Sequence, residues 1–217
     1  MDKYKVAIVI PALNEEATIF NVVQSVKKYG TVIVVNDAST DNTEQEAIGA
    51  GAILVNHKEN EGYDGALNSG FVKAEELNCN AVITFDADGQ HKAETLKKYV
   101  EELRNGVDLV LGIRLEPARF SERLFMYYAR YRFNWRDPLC GLKGYSMMLY
   151  QRRGYFDSRH SIGTELAVYG LENGFSYIQT CVLTEKRQDQ PRFASSFKSN
   201  LKIIKALFEL VFRRGGE

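Results

Sequence analysis

Carboxylates stand at the ends of apolar runs in this sequence, and two of them come close together in Asn80-Ala81-Val82-Ile83-Thr84-Phe85-Asp86-Ala87-Asp88-Gly89-Gln90-His91. The run Ala81 to Phe85 reads as a buried strand that stops abruptly at two acids. Side chains alternate along a strand, so Asp86 and Asp88 can face the same way at the carboxyl edge of a sheet. Brought together they repel unless positive charge stands between them. A hard divalent ion, Mg²⁺ or Mn²⁺, suits that place, above all when a bound diphosphate supplies further oxygens. Gln90 offers a neutral oxygen from the same loop, so Asp86, Asp88 and Gln90 are the candidate metal ligands. The competing reading of Asp88-Gly89 is a solvated turn. His91 suits a cap or a packing role better than a ligand role, since Mg²⁺ prefers carboxylates and water to imidazole.

The elements that must position these acids follow from periodicity. Val6 to Ile10 is a continuous apolar run closed by Pro11, the pattern of a central parallel strand. A helix follows with Ile19, Val22, Val23 and Val26 inward. Asn14 is its expected N-cap, with Glu15 and Glu16 in the first turn. Thr31 to Val35 is a second strand. The polar loop Asn36-Asp37-Ala38-Ser39-Thr40-Asp41-Asn42-Thr43 follows, with Asp41 or Ser39 available to cap a helix over 42–49. Gly51 to Val55 is a third strand. The next helix opens at Gly62 and Gly65, where the backbone can approach a diphosphate at the helix N-terminus, although close helix–sheet packing explains the glycines equally well. A helix near 92–105 and a strand over 107–112 complete a doubly wound, mostly parallel α/β layer, which binds ligands at its strand carboxyl ends.

Beyond Arg114 the texture changes. Arg114, Arg119, Arg123, Arg130, Arg132 and Arg136 interleave with Phe120, Leu124, Phe125, Tyr128 and Tyr131, suggesting an amphipathic helix. Asp137 to Tyr145 reads as a loop and a short strand crossing back over the sheet. Helices around 146–152 and 161–173, a strand from Phe175 to Leu183, a basic loop and a helix from about Ser195 to Arg214 follow.

Composition narrows the function. The chain has 217 residues and balances 28 basic against 28 acidic ones, so a general nucleic-acid binder is not suggested. Cys79, Cys140 and Cys181 form no C-x-x-C pair, which points to a reducing compartment and away from a thiolate metal site. The opening residues run directly into a strand, so no signal peptide is expected, and no apolar stretch is long enough to span a bilayer. The turn after the first strand, Pro11-Ala12-Leu13-Asn14-Glu15-Glu16, lacks the glycines of a dinucleotide-binding fingerprint. No P-loop and no glycine-rich basic nucleotidyltransferase loop occurs either.

Four blocks, in order, carry a family resemblance: Ile10 to Glu16, Val35 to Asp41, Asn60 to Ala66 and Phe85 to His91. With them the chain resembles family 2 glycosyltransferases, and within them the dolichyl-phosphate mannose synthase and polyprenyl-phosphate glycosyltransferase group. The resemblance implies a GT-A fold, a UDP- or GDP-sugar donor, a divalent metal and inversion at the anomeric carbon. It places Glu15 and Asp37 near the nucleoside, with Pro11 shaping the wall and Asn14 in the same binding block. It also assigns Asp86, Asp88 and Gln90 to the metal–diphosphate site, with Asp88 counted as catalytic. Gly65 is grouped with the donor-binding residues. Asp137 to Tyr145 is similar to the family's acceptor-side segment, and Lys186 to Leu201 to its basic stretch. The chain departs from the lipid-phosphate synthases in a short segment between Arg114 and Asp137, in lacking the pair of membrane-spanning helices of some relatives, and in Ala194 where a glycine is usual.

Asp137 is the candidate catalytic acid of the second half. A hydroxyl acceptor needs a general base, which an acid here could supply, whereas a lipid phosphate is already ionised and leaves Asp137 to orient a basic residue or the acceptor. Arg114, Arg187 and Arg192 offer forks for phosphate oxygens. The expectation is transfer to a polyprenyl phosphate, with a saccharide hydroxyl acceptor or an idle GT-A subunit as alternatives. The expected organisation is a catalytic domain over 1–194, divided at 114 into donor and acceptor halves, and a helix and tail over 195–217. In that helix Phe197, Leu201, Ile204, Phe208 and Val211 form a stripe, widened by Ile203, Leu207, Leu210 and Phe212, amid lysines, a pattern suited to lying in the interface of an anionic membrane as well as to packing on the protein. A peripheral protein on the cytoplasmic face is therefore expected.

Overall fold

The computed structural model describes residues 4–114, 120–158, 161–183 and 203–207, the side chains of Phe120 and Ser121 excepted. Strands β1 (Val6–Ala12), β2 (Thr31–Asn36), β3 (Ile53–Asn56), β4 (Ala81–Thr84), β5 (Leu109–Arg114), β6 (Lys143–Ser146) and β7 (Tyr177–Val182) form one sheet in the order β3-β2-β1-β4-β6-β5-β7. β4, the strand that ends in the paired acids, is the central one. Its neighbour β1 is buried on both faces, which explains the unbroken apolar run: Ile8 and Ile10 enter one core, Ala7 and Val9 the other.

Helices α1 (Ile19–Val26), α2 (Thr43–Gly49) and α4 (Leu96–Arg104) contribute to the first core. Helices α3 (Gly62–Glu76), α6 (Met147–Arg153) and α7 (Glu165–Glu172) contribute to the second, and α5 (Phe120–Phe133) adds Ala129. The chain steps outward from β1 to β2 and β3, then returns through α3 to β4 on the other side of β1. That reversal opens a crevice at the carboxyl ends of β1 and β4, where ligands bind in open α/β sheets.

β6 runs antiparallel between β4 and β5, pairing Thr84 with Lys143 and Leu111 with Lys143. It is the expected strand crossing back over the sheet, and it brings Asp137 to Lys143 beside the end of β4. The register leaves no room at Gly112. A Cβ there would lie 2.6 Å from Cys140 Sγ and 2.6 Å from the Leu142 carbonyl oxygen. Gly112→Ala is expected to destabilise by about 1–3 kcal/mol through overpacking, measured as a lower urea midpoint.

Two local expectations are corrected. Asn14 does not cap α1: its φ is 52° and its side-chain oxygen accepts from the Thr40 N–H at 2.7 Å. The helix begins only at Ile19 with Thr18 at its N-cap position, so Glu15 and Glu16 precede its first turn. The helix expected from 161 starts at Glu165 because Ile162 and Gly163 have φ of 58° and 65°. Their N–H groups donate to the Asp64 carboxylate instead, at 3.2 and 2.6 Å. Asp41 does serve α2, accepting from the Thr43 N–H at 3.0 Å. Of the expected C-terminal helix only 203–207 is described, and it is helical.

Candidate functional site

The loops after β1 and β2 are clamped to each other. Ser39 Oγ accepts from the Asn14 N–H at 2.9 Å, Thr43 Oγ1 from the Glu15 N–H at 2.7 Å, and Glu16 from the Asn42 N–H at 3.0 Å. Glu15 accepts from the Thr18 hydroxyl at 3.2 Å through Oε2. Pro11 pairs with Val35 inside β1 and forms part of the wall. This cross-bracing holds Pro11, Asn14 and Glu15 as one rim of the crevice.

Asp37 is buried and turned inward. Its Oδ1 accepts from the Glu61 N–H at 2.8 Å and its Oδ2 from the Gly62 N–H at 2.9 Å, while His57 Nδ1 lies 2.8 Å from Oδ1. The other ring nitrogen of His57 lies 2.8 Å from Ser69 Oγ. Asp37 therefore fixes the start of α3 against the end of β2. His57 went unnoticed in the sequence; nothing in its local setting announces a partner twenty positions away. At Gly65, a Cβ would meet the Glu61 side chain at 2.6 Å, so this glycine serves the tight opening of α3.

The paired acids stand in the turn just beyond β4 rather than on the strand itself, and both are half-buried. Asp88 Oδ1 accepts from the Gln90 N–H at 3.0 Å, closing a turn in which Gly89 has φ 71°. His91, itself buried, places Nε2 3.0 Å from Asp86 Oδ2 and sets its ring edge-on to Phe85. Burial pushes the Asp86 carboxyl up. The His91 hydrogen bond and the charges of His91, Lys143 and Arg114 outweigh burial and hold the group below the ordinary carboxylate range. It stays ionised at neutral pH.

Across the crevice, Arg114 at the end of β5 grips Asp137. Nε donates to Oδ2 at 2.8 Å, Nη2 to Oδ1 at 2.9 Å, and the Arg114 backbone N–H adds a third bond at 3.0 Å. Glu122 Oε2 lies 3.5 Å from the same guanidinium. Asp137 is 1% exposed, so the carboxylate is committed to Arg114. Burial alone would lower the Arg114 pKa, but the bonds and charge of Asp137 raise it well above its ordinary value. Lys143 is buried beside them, its Nζ 5.8 Å from the Trp135 ring centre. Burial pushes its ammonium down, and Cys140, Asp137 and Asp86 offset only part of this. The Cys140 thiol is pushed up to about 12, first by burial and then by Asp137, which makes it inert as a nucleophile at neutral pH.

Asp86, Asp88, Arg114, Asp137 and Lys143 thus converge where β4 and β5 end and β6 begins. Lys143 and Gly141 are the residues sequence reading missed. A Cβ on Gly141 would collide with both carboxylate oxygens of Asp86. Gly141→Ala is expected to displace that carboxylate and lower turnover by about tenfold or more, with a melting temperature near that of the parent chain; parallel activity and melting curves check it. Arg187 and Arg192 lie outside the described residues. Among the described residues no three His, Cys, Asp or Glu side chains form a ready-made metal cage. The donor set is nevertheless one of hard oxygens, Asp86 and Asp88 from a single turn. It fits an octahedral Mg²⁺ or Mn²⁺ that takes its other ligands from phosphate and water.

Residues 7–166 match the family described as Glycosyl transferase family 2. The chain is 34% identical over 135 residues to UDP-N-acetylglucosamine–dolichyl-phosphate N-acetylglucosaminyltransferase of Methanococcus voltae, covering 52% of this chain and 54% of that one. It is 30% identical over 226 residues to undecaprenyl-phosphate 4-deoxy-4-formamido-L-arabinose transferase of Pseudomonas aeruginosa, covering 95% and 64%. The matched stretch spans about half the length of several of these curated relatives. Among solved structures, glucosyl-3-phosphoglycerate synthase of Mycobacterium tuberculosis, crystallised with Mn²⁺, UDP and glucosyl-3-phosphoglycerate, superposes with a TM-score of 0.73 at 20% identity, over 95% of this chain and 79% of that one. That likeness shows the GT-A fold.

Proposed function

This chain belongs to glycosyl transferase family 2, and on that premise we propose that it moves a sugar from a nucleoside-diphosphate-sugar, UDP- or GDP-linked, to a polyprenyl phosphate with inversion. The observation that carries the acceptor assignment is the Arg114–Asp137 pair. A saccharide hydroxyl needs a free base, and Asp137 already takes three N–H donors from Arg114. A lipid phosphate needs no base, and it does need cationic forks. Names of two relatives, the dolichyl-phosphate and undecaprenyl-phosphate transferases, support the same reading.

In the proposed reaction a phosphate oxygen of the acceptor attacks the anomeric carbon. The bond from that carbon to the β-phosphate oxygen breaks, and the nucleoside diphosphate leaves with the electron pair. Pro11, Asn14, Glu15 and Asp37, with Gly65 in the opening of α3, frame the nucleoside side. Asp86, Asp88 and Gln90 would hold Mg²⁺ or Mn²⁺ on the diphosphate side. Such an ion, when bound, offsets the negative charge that grows on the leaving group. Asp137 keeps Arg114 in one orientation with Nη1 left over from that fork, and that Nη1 with Lys143 receives the acceptor phosphate, joined by Arg187 and Arg192.

The catalytic unit runs over 1–194, donor half to 114, with 195–217 as a membrane-facing appendage on the cytoplasmic face. In its described part, Ile203, Ala206 and Leu207 pack on Phe125 while Ile204 is 37% exposed. Ile203 and Leu207, which widen the stripe, thus pack on the protein, and Ile204 is left outward. Among the described residues no helix is long and apolar enough to cross a membrane.

A panel of nucleoside-diphosphate sugars with Mn²⁺, scored for transfer to polyprenyl phosphate and to saccharides, tests the proposal. Transfer to the lipid phosphate is expected; transfer only to saccharides would replace it with the hydroxyl-acceptor reading, and no binding of any nucleoside diphosphate would favour an idle subunit.

A further inference from the structure

We propose that the outer face of α5 is a docking surface for a lipid bilayer carrying anionic headgroups. The inner side of this helix is settled by Phe125 and Ala129, both fully buried. On the opposite side, Leu124, Tyr127 and Tyr131 are 50%, 74% and 83% exposed. Their spacing of three and four puts them on one stripe. Exposed apolar and aromatic side chains gathered on one stripe of a helix mark a contact site. Tyrosine is the side chain best fitted to a boundary that is apolar at one end and wet at the other.

The charges favour lipid over protein. Arg123 and Arg130, seven residues apart, follow one edge of the stripe, and Arg132 lies on the other, all exposed. Long basic side chains flanking an apolar centre can extend to the headgroups while the centre enters the acyl boundary. The one acid within α5, Glu122, is turned inward to Arg114 and is 15% exposed. A second copy of the chain meeting this face across a two-fold axis would set the arginines against their own counterparts, with no carboxylate of α5 on the stripe to answer them. Ile204 adds exposed apolar surface on the segment that packs against Phe125 of the same helix.

This surface extends the reading of a lipid-phosphate acceptor. The inner side of α5 reaches Arg114 through Glu122, so a bilayer seated on the outer side would stand beside the crevice. Ile204 apart, it is distinct from the C-terminal appendage, because Leu124, Tyr127 and Tyr131 belong to the catalytic unit.

The test uses the full chain and large vesicles of phosphatidylcholine with or without phosphatidylglycerol, at low salt. Co-sedimentation with the anionic vesicles is expected. Tyr127→Ser/Tyr131→Ser should weaken it about tenfold or more, and Arg130→Gln/Arg132→Gln should remove the preference for phosphatidylglycerol. Tyr131→Trp supplies an independent reading: the native Trp135 is fully buried, so a blue shift on adding vesicles would report the new indole. Transfer to a short, water-soluble isoprenyl phosphate should be the same in all these variants, showing that fold and site are intact. A parent chain that ignores vesicles, a double-serine variant that binds like the parent, or an unshifted Tyr131→Trp would each overturn the proposal. So would a change from dimer to monomer in the double-serine variant with vesicle binding unaltered, which would make the stripe an interface between copies. Vesicle binding without transfer to the short isoprenyl phosphate would leave the surface standing and overturn the acceptor assignment instead.

Discussion

Asp88→Ala is expected to lower transfer by about 10³-fold, roughly 4 kcal/mol of transition-state stabilisation, while the protein melts within a few degrees of the parent. The side chain is half-buried, and its Oδ1 closes a surface turn by accepting from the Gln90 N–H at 3.0 Å. Losing that bond costs about 1 kcal/mol, far less than the loss of a carboxylate that the proposed reaction sets before the departing diphosphate. Asp88→Asn keeps the turn and removes the charge, so it separates the two effects. If both variants turn over like the parent and still need added metal, the carboxylate pair is not the metal site.

The largest effect on stability is expected at the Arg114–Asp137 pair. Arg114→Met would leave the Asp137 carboxylate, 1% exposed, with the Arg114 backbone N–H in place of the guanidinium fork. Removing one partner of a buried pair costs about 3–5 kcal/mol, which should lower the melting temperature by roughly 10 °C. Arg114→Met/Asp137→Leu removes both charges and should recover most of the stability but none of the transfer. A single variant as stable as the parent would show that Asp137 has other support; a double variant that still transfers would remove the pair from the acceptor site. Asp137→Asn decides the chemistry of this acid. A base acting on a hydroxyl should be lost in Asp137→Asn, whereas an acid that only positions Arg114 should be partly replaced there, because the amide oxygen can still accept from the guanidinium.

What the sequence disclosed and what it hid divide along the length scale of the contacts. β1 and β4 were legible because strands buried on both faces leave unbroken runs such as Val6 to Ile10 and Ala81 to Phe85. The acids after them were legible as acids at strand ends, and the structure brings Asp86 and Asp88 to one turn. The inward commitment of Asp37 to His57 and the start of α3 was not, because its partners are twenty or more residues away. Asp137 showed the same limit. From the sequence it could be read as base or orienter, and only the placement of β6 between β4 and β5 puts it on Arg114. Lys143 looked like one lysine in a loop; an antiparallel strand threaded into the sheet is what buries it. Asn14 and the late start of α7 were missed because side-chain bonds to distant backbone, and not local propensity, set those boundaries.

The central claim is that a phosphate oxygen, not a hydroxyl, receives the sugar. Phosphorus and proton NMR of the purified product, made from an α-linked nucleoside-diphosphate sugar and a short polyprenyl phosphate, tests it most directly. The expected product has its anomeric carbon coupled to phosphorus through one oxygen, in the β configuration. An anomeric carbon with no phosphorus coupling, or one that retains the α configuration, would contradict it.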